Sequence, residues 1–145
     1  MKHFFLGASS APIELGAPLE TDFAQLLFDF SLNLSREDEK KVEALRTFID
    51  VLNVQRMWNG EEIDPRGNLD LAALELGDDL PEVVREMLPK RQFGPLLSRY
   101  LVWESGRWSG FLCDYFAFER ELRLVLAAYR AKRSGKGVSE ALGGE

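Results

Sequence analysis

The chain has one cysteine and one histidine in 145 residues, and each scarcity closes off chemistry. A single cysteine excludes an intrachain disulfide framework and suits a reducing compartment. Cys113 lies between Leu112 and Asp114 in an aromatic stretch and reads as a buried, inert thiol. His3 sits at a terminus with no Ser, Cys or Asp beside it, so a triad or proton relay has no sequence support. One His and one Cys also fall short of a zinc ligand set. There is no GxxxxGK[ST] and no GxGxxG, hence no nucleotide cradle by motif, and no cofactor or small-molecule substrate is expected.

Long apolar runs are missing as well. No stretch of about 18 apolar residues exists, so no helical membrane span is expected. The opening MKHFFLGASSAP superficially suggests a signal peptide, but its apolar core, Phe4 to Leu6, is shorter than the ~7 residues an h-region needs. A cytoplasmic location follows by default. Positive charge is in deficit: 18 Lys plus Arg against 24 Asp plus Glu give a net charge of -6. Nucleic-acid binding needs the opposite sign or a segregated basic face, and is not expected. The one concentrated basic run, Arg130, Lys132, Arg133 and Lys136, suits the negative pole at the end of a helix. After residue 8 no run alternates β-branched and polar residues, which leaves an all-α reading.

What is present is core material. Apolar residues make up 46% of the chain, with ten Phe, three Trp and three Tyr. A chain of this length buries ~68–70% of its unfolded surface, so one helical domain over residues 1–145 is expected. Within it, residues 1–20 form a short apolar segment and a Pro/Gly loop, and residues 134–145 a Gly-rich tail expected to fray.

The dominant element is Trp108 to Arg133, WSGFLCDYFAFERELRLVLAAYRAKR, which has no Pro and no Gly after Gly110. Phe111, Tyr115, Phe118, Leu122, Val125, Leu126 and Tyr129 fall at amphipathic helical spacing. At ~1.5 Å per residue such a helix runs roughly 39 Å. Gly135 follows as its stop. The aromatic run Tyr115, Phe116 and Phe118 reads as core. Upstream, Thr21 caps a first helix through DFAQLLFDFSLN, and Ser35 caps a second that carries Glu37, Asp38 and Glu39 in its first turn. This second helix ends at or before Asn59-Gly60. A short helix from about Asp70 to Leu76 and another from Pro81 at N1 to about Leu88 follow. Helical spacing resumes from Leu96, with Ser105-Gly106 as an interruption. The total is five or six helices in an antiparallel bundle with a long C-terminal helix.

The acidic loop from Asp64 to Asp70 fails as a calcium loop: Arg66 takes the third position and Leu69 the sixth, where an oxygen ligand and a glycine are wanted. It reads as a turn whose Asn68 or Asp70 caps the next helix. Glu119 and Glu121, two apart on a helix, do not face one another and make no acid–base pair. No catalytic residue is expected. The surface features left over are arginines on the long helix and tryptophans near helix breaks. Guanidinium forks and flat aromatics carry binding energy disproportionately. Arg120, Arg123, Arg130 and Arg133, with Trp58 and Trp103, are therefore the candidate partner-binding residues.

The stretch DYFAFERELRLVLAAYRAKRSG resembles the C-terminal helix of a small uncharacterised bacterial family encoded among the subunits of V/A-type rotary ATP synthases. HFFLGASSAPIELGAP is similar to that family's opening segment and loop. FIDVLNVQRMWNGEEIDPRGNL resembles its central block, an Asp-x-x-Asn helix followed by Trp, a Gly-Glu turn and Pro-Arg-Gly-Asn-Leu; LLSRYLVWESGRWSGFLCDYF resembles the section feeding the last helix. More distantly, the same helices resemble a single unit of the C-type socket component of those motors, which carries three such units and joins the rotor ring to the central stalk. Asn53 keeps the Asn of that repeat, and Leu124 departs from it. The resemblance implies a non-catalytic subunit or assembly factor of a proton- or sodium-moving motor. It also implies a place at the cytoplasmic face of the membrane and partners in the central stalk or membrane rotor ring. A general interaction module unconnected with the motor is the alternative.

Overall fold

The computed structural model describes residues 22–135, without the side chain of Phe30. The expected apolar segment with His3, the loop after it, the Thr21 cap, Lys136 and most of the expected tail lie outside the described residues. Among the described residues there are six α-helices and one 3-10 turn, and no strand. They are α1 (Phe23–Ser31), α2 (Arg36–Asn59), α3 (Leu71–Leu76), α4 (Glu82–Arg85), the 3-10 turn Leu88–Lys90, α5 (Phe93–Arg107) and α6 (Phe111–Arg133). The chain divides inside α2 into two compact units, Met1–Ala44 and Leu45–Glu145.

In the first unit, local chemistry sets the helix ends. Asp22 Oδ1 accepts from Gln25 N at 2.7 Å and opens α1. Ser35 Oγ accepts from Asp38 N at 3.2 Å and opens α2, whose first turn carries Glu37, Asp38 and Glu39. Lys41 sits one turn on and pairs with Asp38 at 2.9 Å. Phe23, Leu26, Phe28 and Leu32 of this unit are exposed.

In the second unit, α2 supplies Phe48, Val51 and Val54 to a core completed by Leu74, Leu80, Val84, Leu96, Leu97, Tyr100, Leu101, Leu112 and Phe116. α2 ends at Gly60, which takes the left-handed conformation (φ 71°) that glycine adopts without steric cost. α3 is capped by Asp70, whose Oδ1 accepts from Ala73 N at 2.9 Å, so Asp70 and not Asn68 is the cap. Pro81 stands at the N-cap of α4, one position earlier than the sequence suggested, and α4 is a single turn.

α5 starts at Phe93, with Pro95 in its first turn where a missing N–H costs nothing. It runs through Ser105 and Gly106, contrary to the expected interruption. The reason lies at its end. Glu104, 1% exposed, accepts from Trp108 Nε1 and pairs with Arg107 at 3.3 Å, which ties the last turn together. α6 then folds back along α5 after Gly110 (φ 65°) and ends where Ser134 N meets Arg130 O, with Gly135 left-handed.

The face that α6 buries differs from the expected one. Leu112 and Phe116 enter the core, where Phe116 packs edge-on against Phe48 (5.8 Å) and Tyr100 (6.4 Å). Tyr115 is partly buried against the same core. Phe111, Phe118, Leu122, Val125, Leu126 and Tyr129 are exposed. The amphipathic stripe read from the sequence therefore points away from the core, and Phe118 is not a core residue.

The α5–α6 groove as candidate functional site

Residues Gly60 to Asp70 have no regular structure, and two side chains of α2 hold this loop in place. Asn53, fully buried, donates from Nδ2 to Asp64 O (2.9 Å) and accepts from Asp64 N at Oδ1 (2.8 Å). One turn earlier the buried Asp50 accepts at Oδ1 from Asn68 N (2.8 Å) and Leu69 N (3.1 Å). Arg46 adds a bond from Nη2 to Gly67 O at 2.6 Å. Burial pushes the Asp50 carboxyl up, and the backbone donors of Leu69 and Asn68 pull against that rise. The Asp-x-x-Asn spacing thus puts two side chains on one helix face, each replacing the backbone partners that a loop strand would otherwise need. This block is structural support.

Asp64 faces the Arg66 guanidinium at 2.6 Å, which holds its carboxyl at about 2. A folded value below the ordinary 3.8 means that this pair stabilises the fold above about pH 4 and loses its effect as pH falls toward about 2. Arg66 is 59% exposed, so solvent screening leaves about 1 kcal/mol. Asp64→Asn is expected to flatten the stability–pH profile in that window by about this amount, read from urea unfolding at stepped pH. An unchanged profile would show the pair to be energetically silent.

An open concave feature of the second unit is a groove of about 460 Å³ between α5 and α6, flanked by Gln55 of α2. Its walls are apolar where the hairpin opens: Phe93, Leu97 and Leu101 from α5, Leu122, Leu126 and Ala127 from α6. Three arginines from one face of α6 line it, Arg120, Arg123 and Arg130, against one carboxylate, Glu119. Arg123 is paired with that carboxylate and lies over the Phe48 ring at 5.3 Å, so it is fixed and largely neutralised. Arg120 differs: its Nε is buried without a hydrogen-bond partner among the described residues. A buried donor of this kind costs about 1–3 kcal/mol until an acceptor arrives. Arg130 is exposed at the groove's end. An apolar trough with Arg120 and Arg130, neither of them in an ion pair among the described residues, fits a helix or strand that carries aliphatic side chains and carboxylates.

Of the candidate residues read from the sequence, Arg120, Arg123 and Arg130 come together here. Arg133 is exposed one turn beyond, at the end of α6. Trp58 is partly buried and packs edge-on against Phe93 at 6.5 Å, behind the groove wall. Trp103 lies apart from the groove, against Tyr100, with Arg107 stacked over its ring at 4.3 Å. The α5 wall was missed by the sequence reading; Leu97 and Leu101 belong to the core and also line the groove. The i, i+4 spacing Phe93, Leu97, Leu101 was the available signal.

Curated relatives include a protein of Chlamydia muridarum, described as uncharacterized, 25% identical over 156 aligned positions that cover 95% of this chain and 59% of the relative. A protein of Chlamydia trachomatis serovar D, described in the same words, is 27% identical over 154 positions, covering 94% of this chain and 58% of the relative. The chain thus spans somewhat under three fifths of the length of these relatives. No solved structure matches it. The family described as "Protein of unknown function (DUF2764)" matches residues 1–145 in full, and the chain belongs to that family.

Proposed function

We propose that this protein is a non-catalytic helical component of a V/A-type rotary ATPase, acting as a subunit or assembly factor that docks through its α5–α6 groove. The observation that carries the docking role is the groove itself, with apolar walls and the buried, unpartnered Nε of Arg120. The link to the motor rests on the resemblance of the central block and the last helix to a family encoded among its subunits. The reading places the partner in the central stalk or membrane rotor ring, at the cytoplasmic face, with an acidic, amphipathic segment as the docked element. In this role the protein moves no ions and turns over no substrate; it positions motor subunits.

The test is affinity capture of the tagged chain from its own cells, with mass spectrometry of the eluate. Recovery of ATPase subunits in fixed ratio supports a permanent subunit, and substoichiometric recovery supports an assembly factor. Arg120→Glu with Arg130→Glu is expected to cut that recovery on the order of a hundredfold while leaving the helical circular dichroism unchanged. Capture of a different partner set, free of motor subunits, would replace this reading with the general interaction module.

A further inference from the structure

α6 carries a second surface, which shares Leu122 and Leu126 with the groove wall. Phe111, Phe118 and Val125 recur every seven residues, and so do Tyr115, Leu122 and Tyr129, offset by four. Together they are the two positions of a coiled-coil seam. Every member except Tyr115 is exposed, by 40% to 74%, and Leu126 beside them by 41%. Leu112 and Phe116, which do enter the core, stand on another face of the same helix. The seam runs from Phe111 to Tyr129, roughly 27 Å at 1.5 Å per residue.

Charge decides what fits it. Asp114 and Glu121 flank the seam on one side, and Lys132, about five turns beyond Asp114 at 3.6 residues per turn, continues the row of Phe111, Phe118 and Val125. On the opposite edge Glu119 stands toward the N-terminal half and Arg133 at the end. A parallel pair of such helices would set Asp114 of each copy beside Glu119 on the opposite flank of the other, like charge against like. An antiparallel pair sets Asp114 of each copy beside Lys132 of the other, twice over by symmetry. At ~150–250 Å² for a large ring, the exposed seam offers roughly 600 Å² per copy. With Asp114 beside Lys132, Phe111 lies beyond the end of the partner helix, and a two-fold pair would then bury about 1,000 Å², the least a specific interface needs.

We infer that the exposed face of α6 is the dimer interface of this protein, closed by the α6 of a second copy running antiparallel. The small area makes the dimer reversible. Val125 is the fifth of the seam's six residues and does not line the groove, so the seam can be broken without changing a groove residue.

Sedimentation velocity of the full chain from about 1 to about 500 µM, which covers weak reversible association, tests this. A concentration-dependent monomer–dimer equilibrium is expected. Val125→Glu, at a position already 67% exposed, should leave a monomer throughout with an unchanged thermal melt. Asp114→Lys or Lys132→Asp alone should each weaken the dimer roughly tenfold, and the two together should restore it. A monomer at all concentrations, a dimer indifferent to Val125→Glu, or a charge swap that fails to restore pairing would overturn the inference. So would co-sedimentation with anionic lipid vesicles in place of self-association.

Discussion

Gly67→Ala is expected to destabilise the second unit by about 3 kcal/mol or more, the sum of one overpacking cost and one or two orphaned donors. A Cβ at Gly67 would overlap the Asp50 carboxylate oxygen and crowd Asn53 Nδ2, which lies 3.3 Å from its ideal position. Asp50 cannot retreat cheaply, because that oxygen accepts from Asn68 N and Leu69 N. Moving it strands two backbone donors in a buried place. Gly106→Ala is the control: nothing lies within 4 Å of an added Cβ, and the residue is inside α5. There alanine should gain about 0.4–1 kcal/mol by restricting the unfolded chain. Urea unfolding followed by tryptophan fluorescence reads both. A Gly67→Ala midpoint close to wild type would mean that the loop is not held against α2 as described.

The second large effect separates the two faces of α6. Phe116→Ala removes a fully buried ring from the cluster with Phe48 and Tyr100 and is expected to cost about 3–5 kcal/mol. Phe118→Ala, two residues on, removes a ring that is 58% exposed and is expected to cost less than about 1 kcal/mol, measured in dilute solution. Equal costs would restore the assignment in which the regular stripe faces the core. The reverse order would mean that α6 is rotated about its axis.

The two substitutions also mark where the sequence stops being informative. Periodicity reports that a helix has an apolar stripe, not what covers it. In α6 the longer and more regular stripe is the exposed one. The buried face is short, Leu112 and Phe116, and then passes into the groove-lining Arg120 and Arg123. Arginine on a core-ward face looks like surface in a sequence, yet Arg123 is accommodated because Glu119 and the Phe48 ring meet it. Those partners lie four residues away and on another helix, and only the first distance is visible in one dimension. The groove was half legible for the same reason: its arginines stood out, while Leu97 and Leu101, core residues that also line it, did not.

The amino-acid sequence by itself determined the all-α class, the long last helix and most helix ends. Those follow from contacts within a few residues: Ser35 with Asp38, Asp70 with Ala73, and a left-handed glycine after α2, α3 and α6. Tertiary structure alone decided which side of α6 enters the core, how Asp50 and Asn53 anchor a loop 11 to 19 residues away, and that Arg120, Arg123 and Arg130 share a groove with α5. The physical reason is range. Caps and stops are set by hydrogen bonds along the chain, whereas burial of a face is set by whichever distant side chains pack against it.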